Sequence, residues 1–511
     1  MTFFESLIAL LLVAVLLLQV SRRLRIPYPT LLAAAGVIVA MVPGTPAIAL
    51  EPHTVLALFI APVLVDAAFD FPLAAIRKLW RQLFALAVLA VLLTTAVVAW
   101  IGWAFAGLPI AAAVALGAIV APPDAAAATS VLQSAKLPRR TVEVLTGESL
   151  LNDASALLLF GAAVAIQDHG AVDSSVGLRL GLAVPGGILL GIAGAWLTRR
   201  IVPYTRGSLG GNLLEFASTF ALWIIAERLE LSAVLCVVAM AMTIAASPEV
   251  TSDARSRVQS FAVWSAAVFL LNILAFLLMG MQVRQILSQM DPRGIEEALG
   301  FAGLVVLGVI VTRIVWVLAY NRLSARFTGL RGDIQPASLA QGVAVGWCGM
   351  RGLVTLATAF ALPADFPQRD LIVLSAFAVV LATLVFQGLT LSPLIRLLRL
   401  NDGGAGEREE QAARLALIDA AIEAIEGDDS ARAADTRHQL RIDRGALEGD
   451  AEDFEHRQRL KLATVAAQRR RLDELRETDA IGASDYLRLQ EEIDWRELAI
   501  GPDGRRSIEE G

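Results

Sequence analysis

Glu148, Ser149, Asn152 and Asp153 are the residues of this chain whose types and spacing best suit chemistry. They stand in the segment 146–160, TGESLLNDASALLLF, which is otherwise apolar. On a helix the four occupy positions i, i+1, i+4 and i+5, an arc about 140° wide, with Leu150, Leu151, Leu157 and Leu158 packing away from it. Two carboxyls, an amide and a hydroxyl on one arc can exchange a proton or hold a cation. Burial disfavours the charged form of Asp153. A proton or an alkali cation can each relieve that charge, but not both together. If the scaffold reorients only when Asp153 is neutral, each passage carries one ion or the other, and coupling follows without a separate gate.

Such a segment needs a low-dielectric surrounding. The chain has 511 residues, 56% of them hydrophobic, and a mean hydropathy of +0.63, which marks a polytopic membrane protein. The first apolar run, 3–20, has no basic leader region and no small-residue cleavage site, and reads as a retained span. Cys236 and Cys348 both lie in apolar runs and read as small buried hydrophobes.

Runs of apolar residues separated by polar breaks give thirteen expected spans, 3–20, 27–43, 54–71, 83–106, 109–132, 144–166, 176–197, 212–228, 231–247, 258–281, 298–320, 338–362 and 371–395. Connections after odd-numbered spans hold 19 Lys and Arg, including Arg77, Lys78, Arg81, Arg139, Arg140, Arg322 and Arg326; the opposite side holds five. Basic residues collect on the cytoplasmic side, so the N-terminus is expected outside and the C-terminal tail in the cytoplasm. Two basic residues, Arg313 and Arg351, remain inside spans, against Asp66, Asp124, Glu148 and Asp153. Two arginines cannot neutralise four carboxylates, so one or two acids are left to face an ion path. Asp66 reads equally well as a cavity-rim acid and as a helix-packing partner.

Two spans are expected to break. The fifth contains Pro122 and Pro123 followed by Asp124; each proline removes a backbone donor and clashes with the preceding turn. Broken backbone at membrane depth is tolerated beside a cavity. Asp124 then either caps the second half-helix or joins the freed carbonyls in holding a partly dehydrated cation. The twelfth carries Gly342, Gly346, Gly349 and Gly352 around Arg351, which fits either close glycine packing or a second broken helix. Interrupted spans at corresponding places in two halves, here spans 1–6 and 8–13 as inverted repeats about span 7, point to a transporter site.

Charge divides the chain. Residues 1–400 hold 26 Lys and Arg against 21 Asp and Glu, whereas residues 401–511 hold 17 against 28. A membrane domain over 1–400 therefore precedes an acidic, α-helical cytoplasmic tail over 401–511. His438 and His456 read as solvated tail residues. The chain shows no nucleotide-binding glycine fingerprint after a strand and no metal-spaced His/Cys cluster, so neither a cofactor nor a nucleic-acid partner is expected.

GESLLNDASAL after APPDAAAATSVL, with GMRGLVTLATAFALP two hundred residues on, resembles the NhaP/NHE branch of the monovalent cation/proton antiporters. The likeness covers about residues 1–400. It implies an all-α fold of thirteen spans with crossed broken helices, a homodimer in the cell (inner) membrane, and exchange of Na⁺, or K⁺ or Li⁺, for H⁺. Carried over, Asp153 is the transported-ion carboxylate, Asn152 its companion, and Asp124 and Ser149 complete the cation site, with Asp153 and Asp124 as its metal-holding carboxylates. The asparagine-aspartate pair implies electroneutral one-for-one exchange. Glu148 becomes a structural acid paired with Arg313, while Arg351, Pro122 and Pro123 support the helix crossing. Many relatives place threonine where this chain has Pro123, which offers no hydroxyl to a cation.

Rival readings are a sodium-coupled solute symporter of the same architecture, an intramembrane aspartyl protease using Asp124 and Asp153, and a sensor with a signalling tail. The protease reading lacks the tyrosine-aspartate and glycine-x-glycine-aspartate signatures.

Overall fold

The computed structural model describes residues 3–24, 28–41, 54, 56–124, 138–169, 174–205, 209–246, 254–289, 292–331, 336–400, 405–449 and 452–500. Every regular element among them is helical. The chain divides into two compact units, Met1–Asn401 and Asp402–Glu510.

In the first unit the helices are α1 (Phe3–Leu24), α2 (Tyr28–Met41), α3 (Ala61–Asp70, entered through a π turn, Leu56–Ile60), α4 (Leu73–Phe84) and α5 (Ala90–Ala106). They continue as α6 (Ile110–Val120), α7 (Arg139–His169), α8 (Ser174–Thr205), α9 (Leu209–Arg228), α10 (Ala233–Ala245), α11 (Ala254–Gln289) and α12 (Pro292–Arg326). The last are α13 (Thr328–Arg331), α14 (Leu339–Trp347), α15 (Leu353–Phe360), α16 (Arg369–Ala382) and α17 (Gly388–Leu397). Among the described residues six helical stretches are long and apolar enough to cross a membrane, and four more apolar helices are shorter. Outward-facing Trp100, Trp103, Leu189, Trp196 and Leu307 are more than half exposed, as expected where the solvent is lipid.

One sequence expectation needs correction. Arg77, Lys78 and Arg81 lie on α4, which a π turn (Ala85–Leu89) joins to α5, and not in a loop. Arg322 and Arg326 likewise lie on the last turns of α12. A hydropathy window ends where charge begins, but Arg and Lys are good helix formers whose stems reach toward water, so the helices continue. The first half of the fifth span ends at Val120, ahead of the expected break; residues 125–132 of that span lie outside the described residues. The stop follows from Pro122 and Pro123, which cannot donate to the preceding turn.

α5 and α6 form a tight hairpin. Gly107 takes a left-handed conformation (φ 63°) that a side chain would strain, and Leu108 N donates 3.1 Å to Gly102 O, closing the helix end. One apolar cluster joins α5, α6, α12 and α16 through Val98, Leu116, Ile119, Val305, Val309, Ile372 and Val379, and so surrounds the broken fifth span.

The second unit contains α18 (Ala405–Ala424), α19 (Ala431–Glu448), α20 (Glu452–Glu477) and α21 (Ala483–Ile500). Its buried seam is small, Val465 and Leu472 against Tyr486 and Ile493, tied by Arg469 Nη2 to Asp494 and Glu497, each at 2.6 Å. At the α18–α19 turn Ser430 N donates to the Asp428 carboxylate at 2.8 Å, which holds that carboxyl below its usual range. His438 and His456 are exposed.

Candidate ion-binding site

The site is built where two broken spans meet. α14 and α15 are the halves of the twelfth span, separated by Cys348–Gly352. A reciprocal cap starts α14: Gln341 N donates to Ser338 Oγ at 3.1 Å and Ser338 N to Gln341 Oε1 at 2.8 Å. The break meets the end of α6 directly, since Asp124 N donates to Met350 O at 2.7 Å. Asp124 accepts from Leu353 N through Oδ2 at 3.2 Å. Its carboxylate thus caps a half-helix of the other broken span, at the end where the helix dipole favours negative charge. A Cβ on Gly352 would overlap that carboxylate, so this position requires glycine for close approach.

Arg351, fully buried, closes the opposite end. Its Nε donates to Val120 O at 3.1 Å and its Nη2 to Ala121 O at 3.4 Å, the last carbonyls before the prolines. Its Nη1 also reaches Gly349 O. A cation thereby sits at the negative end of α6 and satisfies carbonyls that the helix break leaves without partners.

α7 passes alongside with Glu148, Asn152 and Asp153 all buried, at 1%, 0% and 3% exposure. Glu148 accepts from Arg313 Nη1 at 2.5 Å and Nη2 at 3.0 Å, a two-pronged ion pair sealed inside the protein; Nη2 also donates to Val345 O at 3.3 Å. Asn152 Nδ2 donates to Pro123 O at 2.9 Å, while its Oδ1 is buried with no hydrogen-bond partner among the described residues. Ser149 is half-buried one turn before Asp153. Asp124 lies close enough for its charge to act on Asp153. Asp66 is half-buried on α3.

Charge at this depth is therefore divided. Arg313 engages Glu148 and Arg351 engages main-chain carbonyls, so among the described bonds neither arginine is committed to Asp153. Chemically, the region offers two carboxyls whose charges act on each other and an open amide oxygen. These are hard oxygen donors of the kind alkali cations and protons share. The carbonyls of Val120, Ala121 and Pro123 arrive already accepting one hydrogen bond each.

Thr383 escapes sequence reasoning. Its Oγ1 accepts from Arg351 N at 3.0 Å and donates to Val380 O at 3.2 Å. It opens a π turn, Thr383–Gln387, between α16 and α17. The available signal is Thr383 and Gln387 one helical turn apart in an apolar run.

With this geometry in view, comparison with known proteins is direct. Residues 8–397 match the family described as sodium/hydrogen exchanger, transmembrane. An uncharacterized Na⁺/H⁺ exchanger of Mycobacterium tuberculosis is 31% identical over 414 residues, covering 79% of this chain and 76% of that protein. A second, from Escherichia coli, is 27% identical over 522 residues, covering 93% and 94%. A sodium, potassium, lithium and rubidium/H⁺ antiporter of Bacillus subtilis is 29% identical, over 70% of this chain and 56% of its own length. In fold, the chain is similar to the solved sodium proton antiporter MjNhaP1 from Methanocaldococcus jannaschii, with a TM-score of 0.61 at 17% identity, covering 78% of this chain and 99% of that one. None of these relatives is named as a symporter or a protease. A multi-pass membrane protein whose acidic side chains lie beside two helix breaks, and whose first 400 residues carry these likenesses, belongs to the sodium/hydrogen exchanger family of bacterial monovalent cation/proton antiporters.

Proposed function

We propose that the protein exchanges Na⁺, with K⁺ and Li⁺ as weaker or alternative cargo, for H⁺ in a one-to-one electroneutral cycle. Asp153 carries either ion, never both. Asn152, Asp124 and Ser149 complete the cation's oxygen shell, Glu148 and Arg313 are structural, and Arg351 with Pro122 and Pro123 holds the crossing. The protein works without a cofactor, as a homodimer of thirteen-span protomers built on inverted repeats. It resides in the inner membrane with the N-terminus outside and the tail in the cytoplasm.

The observation that carries this reading is the buried Asp153 beside an unfilled Asn152 Oδ1, while both deep arginines are engaged elsewhere. An acid buried without a committed cation is costly to leave ionised. Neutralisation by a passing ion is therefore favourable, and it lowers the cost of moving the site across the low-dielectric barrier. Breadth among alkali cations has a precedent in the name of the Bacillus subtilis relative, and the hydroxyl that Pro123 lacks removes one determinant of choice.

The test is dissipation of an imposed pH gradient in proteoliposomes on addition of Na⁺, K⁺ or Li⁺ in turn, with Asp153→Asn as control. Exchange by wild type and none by the variant is expected. Cation-driven proton movement that persists in Asp153→Asn would sink the reading.

A further inference from the structure

A threonine inside a helix can satisfy its hydroxyl on the carbonyl one turn back. Thr219, Thr243 and Thr390 do so here, donating to Glu215 O at 2.9 Å, Ala239 O at 2.6 Å and Phe386 O at 2.5 Å. Thr355, on α15, does not. It is 1% exposed, and its Oγ1 has no hydrogen-bond partner among the described residues. A buried hydroxyl without a partner is costly, and valine, of the same shape, would fill the place without that cost.

Thr355 stands three residues after Gly352, the residue that precedes the first turn of α15. A side chain at that position reaches back over the helix start, as Gln341 of α14 does to Ser338 N at 2.8 Å. At the start of α15 the group to be met there is Asp124. Its Oδ2 accepts from Leu353 N at 3.2 Å, and a Cβ on Gly352 would overlap the carboxylate. The Asp124 carboxylate therefore occupies the space that a capping side chain on Gly352 would fill. α15 also packs on α6, which runs into Pro122 and Pro123. The Pro123 carbonyl already accepts from Asn152 Nδ2 at 2.9 Å, and proline has no side-chain oxygen to add.

Resting on the exchange reading above, we propose that Thr355 Oγ1 is an oxygen ligand of the transported cation, brought beside Asp124 by the first turn of α15. A cation that leaves water needs protein oxygens in place of its hydration shell, and a hydroxyl supplies one without adding charge. A proton carried on Asp153 needs no such shell. Loss of the hydroxyl therefore weakens the cation half of the cycle and leaves the proton half intact. This sets Thr355 apart from a packing residue, for which valine would serve as well.

Two measurements on the full-length protein separate the possibilities. One is the Na⁺ concentration that half-saturates dissipation of a pH gradient in proteoliposomes; the other is the melting temperature in detergent, in NaCl and in choline chloride. Thr355→Val is expected to raise half-saturating Na⁺ about ten-fold, the effect of losing one polar contact to a charge, with the maximal rate at saturating Na⁺ preserved. In choline it should melt no lower than wild type, because no bond within the protein is lost, while the rise in melting temperature on adding Na⁺ should shrink. Thr355→Ser should behave as wild type. Thr358→Val removes another buried hydroxyl without a partner among the described residues, one turn farther from Asp124, and should leave half-saturation unchanged. Thr355→Ala gives the reading if the valine variant does not fold. Wild-type half-saturation in whichever of these two folds overturns the proposal, as does an equal rise in Thr358→Val. If neither folds and Thr355→Ser does, the hydroxyl is structural and the proposal is again overturned. Exchange that persists in Asp153→Asn, by contrast, removes the exchange reading itself.

Discussion

Asp153 and Glu148 stand five residues apart on one helix, both almost fully buried, yet their surroundings differ. Glu148 has a two-pronged guanidinium partner; Asp153 has a neighbouring acid in Asp124 and an amide oxygen still open beside it. Glu148→Gln would leave Arg313 as an uncompensated buried charge, a loss on the order of 3–5 kcal/mol. A large fall in melting temperature in detergent should follow, and an unchanged melt would contradict a structural pair. Asp153→Asn leaves no charge behind, so it should melt like wild type while exchange is abolished. Competition at one carboxyl also has a pH signature. As external pH falls, the half-saturating cation concentration should rise, approaching about ten-fold per pH unit once the carboxyl is mostly protonated, with the maximal rate at saturating cation preserved. Half-saturation that does not move with pH would exclude a shared site. At this scale the sequence was informative. The four polar residues of α7 are visible as an arc in an apolar run, but Thr383 is one hydroxyl among many until Arg351 N is seen against it.

At the scale of elements, the two helix breaks meet in one place. Both have local causes that can be read directly: Pro122 and Pro123 end α6, and glycines flank Arg351 between α14 and α15. What neither segment reveals is that each break completes the other. Asp124 caps α15, and Arg351 takes the carbonyls at the end of α6. Thr383→Val would remove the acceptor for Arg351 N and leave a buried donor unsatisfied, costing about 1–3 kcal/mol. Thr383→Ser should keep it. The pair should therefore separate in melting temperature and in exchange rate, and indistinguishable behaviour would show that the π turn does not support the crossing. Helix limits were the least legible feature. Arg77, Lys78 and Arg81 look like a loop by hydropathy, yet backbone hydrogen bonds carry α4 straight through them.

At the scale of the molecule, the two units differ in solvent. Met1–Asn401 carries the apolar spans, and Asp402–Glu510 is a polar helical unit with a small seam of its own. The bonds that join the two helix breaks all lie within Met1–Asn401. Truncation after Asn401 should accordingly retain cation-driven dissipation of a pH gradient in proteoliposomes, and loss of exchange by a folded truncated protein would place an essential group in the tail. One-for-one exchange predicts a further whole-cycle property. An imposed membrane potential should leave the initial rate unchanged, whereas a rate that responds steeply to potential would require unequal charge movement.

The amino-acid sequence by itself determined that this chain lives in a membrane, where its helices break, and which few ionisable residues lie at depth. These follow from composition, prolines and spacing, which act within a turn or two of backbone. Only the tertiary structure decided how the charges are partnered: Glu148 with Arg313, Arg351 with the carbonyls of a helix more than two hundred residues away, and Asp124 with the start of α15. Coulomb and hydrogen-bond energies depend on distance through space, and that distance is set only when the helix breaks come together.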